Sequence, residues 1–554
     1  MTQKKAHCLL LVLIIAAVYA GAQEYNSVPL DHEAYDIIEM GIMYGIISPP
    51  PSAKPWPQST VTKMLWEILD DPGQVLSSRE LDAVSNVYDT FDRKSGLDLK
   101  EGRYRAEDGN DTFETGLAWE SFFSVSAPDG SIASVNTMKL YAAGDFAYYF
   151  SWNVTALGEF LYIDRDNVVS PFFPYTCSRT WDGGVLSLRN AGAYSAWPGD
   201  PAVAGGFFAE LNGAFLNEQL HLRIGRLRRD WGPQANGTSL YLNAHARPFT
   251  AIEGTYSPLA WLNLSLMNGA LEYFREDKRL PDKGPFVNMI SMGQVEINPV
   301  RFFHFGMGGS VIWLDQINAA FFANLELRVP RLLKLWGSLF VDQVDSFPDN
   351  FFNMNNNNYA YQAGLKVLVY WLPFGVFTIR YTKVEPYCYT NAYDRYNGKP
   401  IPSSSAHANG GESLGHYMPP NSEELLLRLE SRPFPDIKAY VQFQSMRHGA
   451  DYGDWAVPGS SIRDKLTDGS SKKYFLMDGA YRQDNVIKLG GSCNIRAWAV
   501  PVSVYGEMGL VIRRFTINGD AGVGNEADYE PLDNNVYRAG NNFIFSVGFK
   551  VFSH

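Results

Sequence analysis

Asn324-Leu325-Glu326-Leu327-Arg328-Val329 alternates polar and apolar side chains with a period of two. Successive side chains of an extended strand point to opposite faces, so Leu325, Leu327 and Val329 share one face and Asn324, Glu326 and Arg328 the other. A helix would scatter both sets around its circumference. The same alternation sets Leu220, Leu222 and Ile224 against His221, Arg223 and Gly225, and Leu425, Leu427 and Leu429 against Arg428 and Glu430. It continues with Ile437, Ala439, Val441 and Phe443 against Lys438, Tyr440, Gln442 and Gln444. The last strand, Asn542 to Phe552, carries Phe543, Phe545, Val547, Phe549 and Val551 on one face, with Ser553 and His554 following the final phenylalanine.

Two architectures use such strands. A soluble β-sandwich turns the apolar face to a core and the polar face to water. A membrane barrel does the reverse, with the apolar face on lipid and the charged face in the lumen. Three features favour the barrel. The first is export. Lys4-Lys5 precedes an apolar run from Leu9 to Ala20, and Ala20-Gly21-Ala22 has the small-x-small form a signal peptidase accepts before Gln23. That run of twelve residues is too short to span a bilayer, which takes roughly 20, so residues 1–22 are expected to be a cleaved signal peptide. Cys8 lies ahead of the run and not at the cleavage site, which argues against a lipoprotein.

The second feature is length: the strand-like blocks run to about ten residues, enough for a tilted strand to cross a bilayer. The third is number. The period changes to two from roughly Thr115 onward, and the remaining chain at about 24 residues per strand and connection holds on the order of 18 strands. Composition agrees, with 14% aromatic residues, 49 glycines and only 19% charged residues. The longest apolar stretch after the signal, Val367 to Phe377, contains Pro373 and Gly375 and is too short for a membrane helix. The expected fold class is therefore mainly β, a transmembrane antiparallel β-barrel with a small N-terminal α-helical domain. Arg223, Glu326, Arg328, Asp342, Arg380, Arg428 and Glu430 are expected to point into a crowded, charged lumen. Tyr148 to Trp152 and the pair Tyr370-Trp371 read as interface aromatics.

The region before the barrel has helical periodicity. Ala34, Ile37, Ile38, Gly41 and Ile42 fall on one helix face, and Val61, Met64, Leu65, Ile68 and Leu69 on another, with Ser59 as N-cap and Asp70-Asp71-Pro72-Gly73 as stop. Ser77 and Glu80 have capping-box spacing before Leu81, Val84, Tyr88 and Phe91. Between the first two helices, Pro49-Pro50-Pro51 through Pro55-Trp56-Pro57 reads as an extended linker along the helices or the barrel rim. The expected organisation is a periplasmic helical domain over 23–97 and an outer-membrane barrel over 98–554.

The chain carries no motif for catalysis: no Gly-x-Ser-x-Gly elbow, no His-Glu-x-x-His helix, no phosphate loop and no paired cysteine motif. Its nine histidines, among them His245, His304, His416 and His448, lack ligand spacing. No enzyme activity, metal or cofactor is expected. Cys177, Cys388 and Cys493 are an odd, scattered set from which no functional disulfide is expected. A net charge of -12 argues against nucleic acid as a partner. The expected partner is the outer-membrane bilayer, with the chain a monomer, because a closed barrel has no free edge to pair.

The densest constellation is Gly225-Arg226-Leu227-Arg228-Arg229-Asp230-Trp231-Gly232-Pro233, continuing through Gly237-Thr238-Ser239-Leu240-Tyr241-Leu242-Asn243-Ala244 to Arg247-Pro248-Phe249. This stretch resembles the Wzi-type capsule assembly proteins, in which a strand ends in Gly-Arg, a Trp-Gly turn follows, and an Asn-Ala-Arg-Pro-Phe-like strand start comes soon after. Tyr387-Cys388-Tyr389-Thr390, Tyr393, Tyr396, Leu414-Gly415-His416 and Asn421-Ser422-Glu423 are similar to the family as well, although Pro419-Pro420 stands where a glycine is expected before Asn421. The resemblance implies an outer-membrane barrel of 18 strands, a periplasmic helical bundle, a lumen largely closed by loops, and a lectin-like role in holding capsular polysaccharide at the cell surface.

Sugar binding calls for planar donors and acceptors beside aromatic faces, and Arg226, Arg228, Arg229, Trp231, Tyr241 and Asn243 supply those types. The same residues suit a second role, packing the barrel interior through guanidinium–carboxylate bonds. Two other functions fit the sequence: a porin with a wet, charged lumen, and a transporter for hydrophobic solutes in which the N-terminal helices plug the barrel. The position of residues 23–97, below the barrel or inside it, separates these readings.

Overall fold

The computed structural model describes residues 25–552 apart from 71–74, 92–94, 99–101, 110, 128–131, 148, 164–201, 233–237, 245, 273–285, 315–316, 343–357, 391–393, 397–398, 402–404, 410–411, 451–456, 462–474, 477–478, 497–499 and 518–539. The expected signal peptide, Tyr148 and Cys177 lie outside the described residues.

Eighteen antiparallel strands, from Asp111–Ala127 to Gly540–Val551, form one closed barrel. Each strand pairs with its neighbour in sequence, and the last returns to the first with Phe543 opposite Ala127 and Val551 opposite Trp119. The first strand extends past this seam, and there Arg103–Asp108 takes over its edge, with Arg103 opposite Gly116 and Asp108 opposite Asp111. Every strand thus finds a partner on both sides, as a low-dielectric surround demands of backbone polar groups. No described helix is long and apolar enough to cross a membrane; the crossing elements are strands.

The alternation runs as expected of a membrane barrel. Leu325, Leu327 and Val329 are exposed on the outer wall, as are Leu222, Ile224, Phe543 and Phe545. Their neighbours point inward and are buried in ion pairs: Glu326 with Arg328 and Lys334, Arg223 with Glu253, Arg380 with Glu424. A carboxylate inside the barrel is stabilised only where such a partner sits within hydrogen-bond reach.

The two ends of the barrel differ. At one, only two residues separate Leu259 from Leu262, Val300 from Phe303, and Phe434 from Ile437. Trp261, Phe302, Tyr370, Trp371 and Phe434 form an exposed aromatic rim there, the placement expected of amphipathic rings at the headgroup level. At the other end the connections are long: 228–248, 385–421 and 450–479.

Three short helices, α1 (Ala34–Tyr44), α2 (Gln58–Leu69) and α3 (Ser78–Tyr88), pack together at the short-turn end. Their buried faces, including Ile37, Ile38, Val61, Leu65, Ile68 and Val84, form a core joined to Leu368, Phe374 and Val376 of the barrel. The capping box forms: the Ser77 hydroxyl accepts from the Glu80 amide, and the Glu80 carboxylate accepts from the Ser77 amide at 2.8 Å. The expected cap at Ser59 does not. Helix α2 starts two residues earlier behind Pro57, because the Gln58 amide is drawn to the Asn26 carbonyl (2.9 Å) and so fixes the first turn. The proline-rich linker lies along the helices in part, with the Trp56 ring 4.9 Å from that of Tyr35 in α1, but Ala53 and Lys54 leave that course and reach into the lumen.

Candidate functional site

The lumen is filled from both ends, and the two fillings touch. From the long-loop end, residues 228–248 fold inward. Arg229 anchors them: its guanidinium donates to Glu253 and to the carbonyls of Gly225 (3.0 Å), Leu227 (3.0 Å) and Phe249 (2.7 Å), and lies 4.7 Å over the Phe249 ring. Five rigid N–H donors suit this role, which a lysine could not reproduce. Arg226 pairs with Glu272 at 2.7 Å. The Ser239 hydroxyl donates to the Trp231 carbonyl and accepts from the amides of Tyr241 and Leu242, closing the turn. The Asn243 side chain donates to the Ser239 carbonyl, and its own amide reaches Leu414 O at 2.8 Å. Tyr241 stacks on Phe322 of the wall, ring centres 3.8 Å apart, and its hydroxyl accepts from Asn324 at 2.8 Å.

A second infolded loop, 385–421, locks onto the first. The Tyr389 hydroxyl donates to Leu240 O at 2.6 Å, and His407 Nε2 sits 2.7 Å from Tyr241 O. Burial, opposed by the bond to Tyr241, pushes the His407 imidazole down to about 4. Burial likewise raises the Tyr241 and Tyr389 phenols well above their usual range. All three side chains are thus neutral at physiological pH and act as packing with one polar handle. Arg380 joins this loop to the wall through Tyr417 and Glu424. Pro419-Pro420 stands in place of glycine, and Asn421 itself adopts the left-handed conformation, φ 56°, while its side-chain amide donates to the Ser460 hydroxyl at 2.9 Å. Asparagine tolerates that region better than most residues.

From the short-turn end the N-terminal segment enters. Ala53 and Lys54 pair as a two-residue ladder with Trp231 and Asp230, Gly232 donates to Ser52 O at 3.2 Å, and Lys54 lies 3.6 Å from Asp230. The Ser52 amide is held by Glu296 of the wall. Below this, α1 covers part of the mouth by charge. Glu39 receives Lys334 (2.9 Å) and Lys366 (2.8 Å), and Glu33 receives Arg432 (2.7 Å). Burial alone would raise the Glu39 carboxyl, but the two ammonium groups outweigh it and hold it well below the usual range.

Of the six residues expected to meet a sugar, Arg229, Trp231, Tyr241 and Asn243 are each 1% exposed or less. Buried inside the barrel, they pack and fasten the loop. Arg226 is buried against Glu272, and Arg228 is half-buried where the loop leaves its strand. Two partners that complete this layer went unnoticed in the sequence: Gln362, which donates to the Thr238 carbonyl at 3.1 Å, and His407, which meets the Tyr241 carbonyl. They sit on a distant strand and loop, and no local spacing marks them.

Eighteen strands with an apolar outer wall, a charged inner wall and opposite ends of short turns and long loops define a transmembrane barrel of the outer-membrane type. Among solved structures the chain is similar to Wzi, an outer-membrane protein involved in group 1 capsule assembly in Escherichia coli and described as a carbohydrate-binding β-barrel. The TM-score is 0.57 at 12% identity, covering 96% of this chain and 100% of that one. The shared fold therefore takes in the helical region as well as the barrel. OpdK of Pseudomonas aeruginosa, solved with vanillate, aligns over 79% of this chain and 97% of its own with a TM-score of 0.43 at 11% identity. OprD of the same organism aligns over 82% and 98% with a TM-score of 0.41 at 11% identity. No protein-family model and no curated protein matches the sequence.

Proposed function

We propose that this protein is a non-enzymatic, monomeric outer-membrane barrel that binds or anchors a surface polysaccharide, of the kind met in capsule assembly. In this reading the helices and short turns face the periplasm and the long loops face outward. The observation that carries it is the joint between Ala53-Lys54 and Asp230-Trp231, where segments from opposite ends meet inside the lumen. A path blocked by paired backbone suits a binding device better than a channel. The full-length likeness to a carbohydrate-binding barrel adds support. Arg228, half-buried at the base of the loop layer, is the position among the six best placed to meet a glycan from outside.

The test pairs two measurements on the purified, heat-modifiable barrel: single-channel conductance with and without residues 23–97, and co-sedimentation with polysaccharide extracted from the producing cells. Silence in both forms together with polysaccharide capture is the expected result. Large, stable conductance from the intact protein would replace this reading with a porin. Silence relieved by the truncation would instead make the N-terminal region a transporter plug.

A further inference from the structure

On five adjoining strands, Val376–Val384, Ser422–Phe434, Ile437–Gly449, Ala480–Ile495 and Val502–Ile517, one register row runs Lys383, Glu423, Arg447, Gln483 and Arg514, each directly opposite the next. All five stand on the outer wall, because the alternate positions Thr382, Glu424, Met446, Asp484 and Arg513 are buried on the inner side. Toward the short-turn end the outward series of these strands is apolar and exposed, with Leu425 following Glu423, Val441 on the strand of Arg447, Ile487 and Leu489 following Gln483, and Leu510 preceding Arg514. The row therefore closes the apolar band on its long-loop side. A charge on the lipid face is costly at mid-bilayer and nearly free at the interface, which places these side chains at the headgroup level. Tyr381, exposed, and Tyr361, 6.5 Å away between ring centres, stand beside Lys383 as interface aromatics do. Strands Phe303–Trp313 and Asn318–Val329 differ, since Val311, Trp313, Leu314 and Ile317 keep the wall apolar up to the same end.

Three cations in this row face one carboxylate. Glu423 is held by Arg447 and accepts from the Tyr381 hydroxyl at 3.0 Å, so its charge is already matched. Among the described residues no carboxylate lies within ion-pair reach of Lys383 or Arg514. Lys383 sits 5.0 Å from the Phe475 ring centre, and Arg514, exposed, donates to two neutral oxygens, Arg513 O at 3.0 Å and Asn541 Oδ1 at 3.3 Å. Positive charge at the edge of an apolar wall is the complement of a lipid that joins phosphate to acyl chains.

We infer that this row is a binding site for an anionic lipid, with its phosphates on Lys383, Arg447 and Arg514 and its acyl chains along the apolar stripes. Neighbouring strands lie about 4.8 Å apart, so each cation stands about 10 Å from the next and the three span about 20 Å. That width suits a multi-chain lipid whose broad headgroup carries more than one phosphate. A guanidinium matches phosphate oxygens bidentately, and an ammonium group adds a point charge. The site needs the membrane-facing wall alone and is independent of what the lumen or the loops bind.

The experiment is native mass spectrometry of the intact barrel in detergent, titrated with diphosphoryl lipid A and, for comparison, with dioleoylphosphatidylcholine and inorganic phosphate. One basic side chain beside an anionic lipid headgroup changes affinity about fivefold, so Lys383→Gln and Arg514→Gln together should weaken diphosphoryl lipid A about thirtyfold and leave dioleoylphosphatidylcholine unchanged. Wild-type affinity for diphosphoryl lipid A should also fall as ionic strength rises, a readout that stands even if the double variant misfolds. Equal affinity of wild type and folded variant for diphosphoryl lipid A, equal weakening of both lipids, or binding indifferent to salt overturns the inference. So does inorganic phosphate bound as tightly as the lipid, which would make the row a free-phosphate site.

Discussion

Replacing Arg229 with methionine removes the clamp that holds the infolded loop while keeping side-chain volume close to native. Glu253 is not orphaned, because Arg223 still donates to it at 2.7 Å. What is lost is one buried ion-pair contact and the donors to the carbonyls of Gly225, Leu227 and Phe249. Hydrogen bonds to a charged group contribute about 1.5–3 kcal/mol each, and the surviving Arg223 contact offsets part of the loss. A net destabilisation of about 3–5 kcal/mol follows, chiefly from the buried carbonyls of Gly225, Leu227 and Phe249 that lose their charged donor. Urea unfolding of the barrel in lipid vesicles, extrapolated to zero denaturant with the wild type alongside, reads this number directly. Because the loop blocks the lumen, the same variant should show brief conductance events where the wild type is silent. Arg229→Lys should lie between, since a lysine keeps the charge but cannot reach three carbonyls and a carboxylate together. A loss below about 1 kcal/mol with an unchanged silent trace would refute the assignment of Arg229 as the anchor.

Further outcomes follow from other contacts. The depressed Glu39 carboxyl contributes stability that is fully present above its unfolded value near 4.5 and fades as pH falls through the lower folded value; protease cleavage within α1 should therefore rise on acidification, and Glu39→Gln should show the raised cleavage already at neutral pH. The His407 imidazole, pushed down to about 4, contributes stability present above its usual 6.5 and lost as pH falls through 4, about 3 kcal/mol in all; His407→Gln should flatten that part of a stability–pH curve, and an NMR titration midpoint near 6.5 in the folded protein would contradict it. Phe545→Lys, on the lipid face, should cost about 2–4 kcal/mol of folding free energy in vesicles if it lies at mid-bilayer depth, and an unchanged urea midpoint would argue that this face is not in lipid. Gly548→Val should displace the Tyr505 ring, which a Cβ would meet at 2.2 Å, at a cost of about 1–3 kcal/mol, with a native urea midpoint as the contrary result.

Alternation of the kind seen in Leu325 to Val329 was enough to set strand type and which residues share a face, because side-chain direction in a strand depends only on position along the chain; the barrel class needed the length and number of the strands besides. Ser77 and Glu80 marked a helix start for the same reason: both halves of the capping box lie within one turn. The local signal failed at Ser59, where a long-range bond from Gln58 to Asn26 moved the start of α2. It failed more deeply for the proline-rich linker. Pro49 to Pro57 told of an extended backbone but not that Ala53 and Lys54 would pair with Asp230 and Trp231, some 180 residues away.

The six polar and aromatic residues from Arg226 to Asn243 were picked out by chemical type, and type alone leaves sugar contact and interior packing as equal readings. What the tertiary structure adds is their surroundings: Glu253, Phe322, Asn324 and Leu414 pack around Arg229, Tyr241 and Asn243, and these three with Trp231 are 1% exposed or less. The seating of Tyr440 and Tyr505 was equally silent in the sequence, since each ring lies against a glycine of the adjoining strand and each hydroxyl meets a carboxylate positioned by barrel closure or register. Periodicity is a property of consecutive residues and survives in one dimension. Closure of the barrel, strand register and the meeting of two loops inside the lumen join residues hundreds of positions apart, and only the folded chain brings those partners within hydrogen-bond distance.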